Sequence, residues 1–506
     1  MRTLFLALVV CVVAAGCGRR AATTVAVAEL SGRVMDADGP VGAANVRLQA
    51  TPHHTTTGAD GYFHIPNVSD ATYVTAWKEG TFIGFSRSDA SPLRILLKPL
   101  PAKDDPSYKW IGPGPDDKAD QNCSRCHAEI YKEWSASAHS RSATGRHFRN
   151  LYDGTSWTGK AGVGWSLLDE HPTGAGVCTS CHAPAVADDD PAQFDLRELR
   201  GTAAQGVHCD YCHKINGVGD GKIGLTHGRF NLRLLRPAEG QIFLGPLDDA
   251  TRGDDAFSSF YHDSKYCASC HEGVVFGVHV YSTYSEWKES PAYKEGRQCQ
   301  DCHMAPTGRM TNIAPGNGGV EREARTLGNH LLFDGDQDAM LRRCLQASVE
   351  CQRSEDGVRA TVRLWTEGAG HRVPTGFIDK HLILIVESED AAGKSVALLS
   401  GPRLPSAAGK ELEGRPGKLY AKLLRDFDGH SPAPFWNADP DAVDTRLAPG
   451  RNDETVFDFP PELMKVRVRV LYRRFWQEVG RSKGWPDADV SVWECTIQPA
   501  DAPHSP

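Results

Sequence analysis

The rhythm of apolar and polar residues changes along this 506-residue chain and divides it into segments. Leu4 to Val13 is a continuous apolar run after Met1-Arg2, and the small residues Ala14-Ala15-Gly16 follow it before Cys17. The run is too short to span a membrane as a helix but fits the core of an export signal over residues 1–16. Residues 17–28 read as a small-residue tether. Over 29–100 apolar and polar positions alternate around Gly and Pro turns, and Asp60-Gly61 marks a turn into another short strand. Residues 101–119 are rich in Pro, Gly and Asp and read as a linker. Residues 120–340 carry repeated cysteine motifs. Over 341–500 the period returns to two: Val358, Ala360, Val362 and Leu364 alternate with Arg359, Thr361, Arg363 and Trp365. Leu382-Ile-Leu-Ile-Val386 predicts a central strand, and the whole stretch predicts an antiparallel β-sandwich. A chain this long exceeds one core, so a multidomain fold follows.

Net charge is −8, which disfavours nucleic acid as a partner. Twenty histidines and fifteen cysteines are more than a typical cytosolic enzyme holds, and their spacing says why. Five motifs share one form: Cys123-Ser-Arg-Cys126-His127, Cys178-Thr-Ser-Cys181-His182, Cys209-Asp-Tyr-Cys212-His213, Cys267-Ala-Ser-Cys270-His271 and Cys299-Gln-Asp-Cys302-His303. Two thiols three residues apart can add to the two vinyl groups of one haem, and the next residue, His, then ligates the iron from one face. Random order would give about 0.02 such motifs in a chain of this composition. Zinc sites and redox dithiols need no His after every pair, and structural disulfides would not repeat a two-residue gap five times. The expected cofactors are five covalently bound c-type haems, attached outside the cytoplasm in agreement with the export signal.

The motifs lie between Cys123 and His303, too little chain per haem to build an ordinary apolar core. The porphyrins must supply much of the core, so neighbouring haems should nearly touch and form a wire. First cysteines are spaced by 55, 31, 58 and 32 residues, a rhythm that suggests duplication. Tyr131-Lys-Glu-Trp134-Ser-Ala-Ser137 is echoed by Tyr284-Ser-Glu-Trp287-Lys-Glu-Ser290.

Methionines are too few and too badly placed to ligate five irons, so bis-His coordination is the default. Histidines outside the motifs include His139, His147, His171, His208, His227, His262, His279, His330 and His371. His139 follows His127 by twelve residues, about 18 Å along a helix, so it must serve a neighbouring haem.

Three resemblances add expectations. Ala-Ala-Gly-Cys resembles a bacterial lipobox, which implies lipidation of Cys17 and, with Gly18 next, anchoring at the outer membrane of a Gram-negative-type bacterium. Gly32, Val34, Asp36, Gly39, Val41, Ala44, Val46, Asp60, Gly61, Phe63 and Tyr73 resemble the carboxypeptidase regulatory-like family, which implies an Ig-like or transthyretin-like β-sandwich of structural or adhesive role. Gly206-Val-His-Cys-Asp-Tyr-Cys-His-Lys-Ile215, Leu244-Gly-Pro-Leu-Asp-Asp-Ala250, Val280-Tyr-Ser-Thr-Tyr-Ser-Glu-Trp287 and Gly370-His-Arg-Val-Pro-Thr-Gly376 resemble the multihaem cytochromes typified by the tetrahaem carrier of ammonia oxidisers. That resemblance implies distal iron ligation by His139 and His371, and less firmly by His227 and His330, with His262 as the fifth choice. A ligating His371 would make the C-terminal β-region part of the haem cage.

Cys344, Cys351 and Cys495 are left over. Cys344 and Cys351 on one strand would stand about 23 Å apart on opposite faces, so Cys351 with Cys495 is the preferred pair. The chain reads first as an electron carrier between redox proteins of the cell envelope. The alternative is an oxidoreductase acting on a small nitrogen or sulfur compound at one open iron. No Cys-x-x-Cys-Lys motif is present.

Overall fold

The computed structural model describes residues 28–68, 72–115, 122–173, 176–186, 194–332 and 337–501. The apolar leader and Cys17 lie outside them. The fold is multidomain, with several sheets and short helices, and no sheet of the described residues closes into a barrel.

The N-terminal alternation forms seven strands: β1 (Ala28–Met35), β2 (Asn45–Leu48), β3 (His54–Thr56), β4 (Tyr62–Val68), β5 (Tyr73–Trp77), β6 (Gly84–Arg87) and β7 (Arg94–Leu96). They make two sheets, ordered β4-β1-β7 and β3-β2-β5-β6. The apolar phase of β1, β2, β4, β5 and β7 fills one core: Val34, Val46, Leu48, Phe63, Ile65, Val74 and Ile95 among others. Gly61 in the turn before β4 has φ +73°, and a Cβ there would sit 2.5 Å from the Val34 carbonyl oxygen. Only glycine fits that approach.

The motif region contains short helices and two-stranded sheets. Its own apolar clusters are small among the described residues, such as Leu235, Ile242, Leu244 and Ala256. The larger clusters lie in the flanking β-regions or are shared with the C-terminal one.

The C-terminal region has two four-stranded sheets. In one, strand Gly357–Thr366 pairs antiparallel with Leu345–Ser354 and Asp453–Phe459. In the other, His381–Glu389 pairs antiparallel with Gly417–Tyr420 and Lys465–Arg473. The run Leu382 to Val386 is apolar at every position because both its faces are covered. Leu382, Leu384 and Val386 point into the core between the sheets. Ile383 and Ile385 point the other way and pack with Tyr152, Leu167, Ala183 and Leu199 of the motif region.

The expected Cys351–Cys495 bridge is not formed: Cys344, Cys351 and Cys495 are free thiols. Cys351 is buried on a strand of one sheet, and Cys495 is half-buried on strand Val490–Ile497 of the other. Cys344 does not share a strand with Cys351 either. It ends the helix Gln337–Cys344, whose last turn carries Arg342 and Arg343, cations that suit the negative end of the helix dipole.

Candidate functional site

Each motif sits on helical backbone. Cys123 opens the 3-10 turn Cys123–Arg125, and the other four lie in Gly176–His182, Cys209–Cys212, Lys265–His271 and Cys299–His303. Helical residues three apart share a face, so one turn presents both thiols of a motif to the same side.

Cysteines of different motifs approach one another. The Cys123 and Cys209 thiols are within hydrogen-bonding reach, as are Cys181 with Cys270 and Cys267 with Cys299. Cys212 is near enough to feel Cys267 and Cys270 electrostatically. These approaches connect all five motifs into one cluster. Burial pushes the Cys178 thiol up to about 12 and Cys212 up to about 11, the opposite of what a reactive dithiol needs.

Backbone carbonyls fix the motif imidazoles. Nδ1 of His127 is 2.8 Å from the Ile313 oxygen, that of His182 2.8 Å from Ser142, that of His213 2.6 Å from Leu244 and that of His303 3.0 Å from Leu332. A carbonyl only accepts, so in each ring Nδ1–H donates and Nε2 keeps the lone pair. The CxxCH histidine of a haem needs that tautomer to present Nε2 to iron. His371 is held the same way, with Nδ1–H donating to the Arg372 carbonyl at 3.0 Å.

Two histidine pairs have the spacing of opposed iron ligands. The His303 and His371 rings are 6.1 Å apart between centroids and within 12° of parallel. The His139 and His271 rings are also 6.1 Å apart, at 81°. A metal–nitrogen bond of about 2 Å on each side, with each ring centre about 1 Å farther out, requires about 6 Å. His139 thus reaches the fourth motif, far from His127 in sequence, and His371 reaches the fifth from the C-terminal region. His330 lies close enough to His213 and His127 to feel both electrostatically, and its Nδ1 is buried without a partner. His227 likewise keeps a buried, unpartnered Nδ1, and the adjoining Gly228 packs against Ser180 of the second motif. Desolvation draws the His139 and His330 rings down to about 4 and lowers His303 and His371 as well. All four therefore stand neutral, the form that binds a metal.

The remaining histidines differ. His262 is exposed on the turn Ser259–His262, and the structure does not bring it against a motif ring among the described residues. His147, His171 and His279 commit Nε2 to Asp487, the Trp436 carbonyl and Glu272. His208 is fully buried beside the third motif; its Nδ1 accepts from Tyr211 N–H and its Nε2 has no partner. Its place directly before Cys209 was the only sequence signal for it. Among the described residues no group of three or more His, Cys, Asp or Glu is arranged to hold a metal ion by itself.

Residues 122–214, which span the first three motifs, match the family model described as cytochrome c554 and c-prime. No curated protein matches the chain in sequence. Among solved structures the chain resembles the penta-heme cytochrome c552 from Thermochromatium tepidum, with a TM-score of 0.54 at 20% identity, over 74% of this chain and 97% of that one. No helix of the described residues is long and apolar enough to cross a membrane. Repeated haem-attachment motifs on helical turns, imidazoles presented in the ligating tautomer, a family match over residues 122–214 and a shared fold together support a multihaem cytochrome c with covalently bound c-type haem, a class that serves electron transfer.

Proposed function

We propose that the chain carries five haems, one on each motif, and passes electrons between redox protein partners in the cell envelope. The carrying observation is the pairing of His303 with His371 and of His139 with His271 at 6.1 Å, a spacing at which both rings of a pair could hold one haem iron. Bound haem supplies a one-electron couple whose potential follows its axial ligands and surroundings. The protein's part is to hold those ligands. Motif thiols would hold each haem by its edge, backbone carbonyls orient the imidazoles of His127, His182, His213 and His303, and segments distant in sequence bring the second imidazoles. Contact between the first and third, second and fourth, and fourth and fifth motifs, with the approach of Cys212 in the third to Cys267 and Cys270 in the fourth, supports a continuous path. The N-terminal leader supports export, and the small residues before Cys17 support a lipid anchor at the outer membrane. The N-terminal sheets fit a carboxypeptidase regulatory-like module docked on the motif region.

Low-temperature EPR of the purified, fully loaded protein tests the carrier reading. Five low-spin ferric signals are expected. A high-spin signal that shifts on adding nitrite, hydroxylamine or sulfite would overturn it in favour of small-molecule chemistry at an open iron. Intact mass checks the haem count, and a Cys17→Ser variant that stays membrane-bound would refute the lipid anchor.

A further inference from the structure

The two echoed stretches have matching contacts. Tyr131, Glu133 and Trp134 lie on helix Ala128–Ala136, and Tyr284, Glu286 and Trp287 on helix Thr283–Lys288. In each the Tyr ring tilts against the Trp ring, with centroids 5.8 Å and 5.4 Å apart. In each the serine three residues on, Ser137 or Ser290, donates its backbone N–H to the Trp carbonyl, at 2.9 Å and 3.0 Å.

Both Trp indoles reach forward to a motif. Trp134 Nε1–H donates to the Val207 carbonyl at 2.9 Å, and Trp287 Nε1–H to the Arg297 carbonyl at 2.9 Å. Val207 and Arg297 each stand two residues before the first cysteine of a motif, Cys209 and Cys299. Both carboxylates reach the opposite arm. Glu133 Oε2 accepts the backbone N–H of His330 at 2.8 Å, and Glu286 Oε2 accepts that of Arg372, beside His371, at 3.2 Å. Glu286 is itself fixed by Ser282 Oγ and by Arg446, both at 2.6 Å.

We propose that each Tyr-x-Glu-Trp helix is a caliper for one haem: its Trp seats the motif that bears the proximal histidine, and its Glu seats the distal histidine. The second caliper sets His303 against His371, and the first sets His213 against His330. Glu133 and Glu286 are positioning residues that act through the histidines they hold. This rests on the reading that His330 and His371 are iron ligands. It also revises the duplication suggested by motif spacing. The equivalent motifs are the first with the fourth and the third with the fifth, so the first–third thiol contact Cys123–Cys209 is repeated as the fourth–fifth contact Cys267–Cys299.

The test compares Glu133→Ala, Glu133→Gln, Glu286→Gln and His330→Ala in the full-length haem-loaded protein, by EPR and by spectroelectrochemical titration. Gln keeps an acceptor oxygen for the backbone N–H, whereas Ala removes it. Glu133→Ala should convert a share of one low-spin signal to high spin and move the midpoint potential of that haem alone. Glu133→Gln should restore both, and free imidazole should restore the low-spin signal in the Ala variant. Glu286→Gln should keep the His371 haem low-spin and shift only its potential, because the lost charge faces Arg446. A Glu133→Ala protein that melts earlier with all signals and potentials unchanged would overturn the caliper and leave Glu133 a structural residue. If His330→Ala also leaves every signal low-spin, the ligand reading itself fails. If His330→Ala gives high spin and Glu133→Ala does not, only the caliper fails. Were Glu286→Gln not to fold, the Glu133 series would decide alone.

Discussion

Two β-regions flank the motif region and attach to it by different chemistry. The N-terminal region docks largely through polar groups, with one aromatic pair and with Phe82 and Leu100 resting on the small cluster of Leu235, Ile242, Leu244 and Ala256. Arg47 Nε donates to Asp248 at 2.7 Å, Gln49 Nε2 to the Asp249 carbonyl at 3.1 Å, and Ala50 N to Asp249 Oδ2 at 2.8 Å. Asp249 also holds Arg322 at 2.7 Å, and Trp77 meets Phe257 at 4.2 Å between centroids. The C-terminal sheets share an apolar core with the motif region through Ile383, Ile385, Leu471 and Trp476, and they supply His371. The N-terminal core of Val34, Phe63 and Ile95 holds no motif-region residue, whereas the C-terminal core does. On the proposed ligation by His371, the first region would be a separable module and the second a wall of the haem cage.

The sharpest way to break the comparison is at Asp249. Both partners of the Asp249–Arg322 pair are nearly inaccessible to solvent, and removing one side of a buried pair costs about 3–5 kcal/mol. Arg322 lies in the motif region itself, and Asp249 also accepts the Ala50 N–H across the junction, so Asp249→Ala removes the acceptor together with the group that fixes it. The N-terminal sheets should become releasable by limited proteolysis in the 101–115 segment, while the visible spectrum stays that of the parent. A spectrum that changes together with the cleavage would show that the module is part of the cage.

Ile383→Ala addresses the other wall. Truncating a fully buried Ile costs about 2–5 kcal/mol, and this one faces Tyr152 and Ala183 of the motif region rather than the core between the sheets. Haem absorbance and far-UV signal should then melt in one transition at lower denaturant, because the shared core couples the two regions. A haem-region transition that stays in place while the sheets melt earlier would refute the shared wall.

How much of this was legible depended on how local each signal is. The motifs were fully legible because thioether attachment fixes the spacing of Cys and His on one helical turn. The β-rhythm was legible at Val358 to Leu364, where one face is buried. The run Leu382 to Val386 indicated burial on both faces, but not that Ile383 would meet a haem-bearing region while Leu384 met the opposing sheet. His139 could be excluded from its own haem by distance alone, yet its approach to His271 depends on chain crossings that no periodicity encodes. His371 was suggested by resemblance, and its partner His303 emerged only in three dimensions. Cys351 and Cys495 misled because strand alternation reports faces, not which sheet a strand joins. Glu133 and Glu286 stood in a visible echo, but their role depends on backbone N–H groups some 200 and 86 residues away.

Asp379 sharpens the contrast at the smallest scale. It is buried next to Ile378, which packs on Val278 and Val280 of the motif region, and its Oδ2 has no partner. Desolvation raises its carboxyl from 3.8 to about 7. The fold therefore favours the protonated acid. Its contribution is complete below the unfolded value near 3.8, declines as pH rises from there, and is lost above about 7, where a bare carboxylate must be buried. Asparagine reproduces the neutral group at every pH. Asp379→Asn should thus be more stable than the parent by about 1–3 kcal/mol at about pH 8, with the gap narrowing as melts are repeated toward about pH 5. An Asp379→Asn advantage that is equal at both pH values would mean that shape rather than charge sets the cost, and the two junctions would then differ in packing alone.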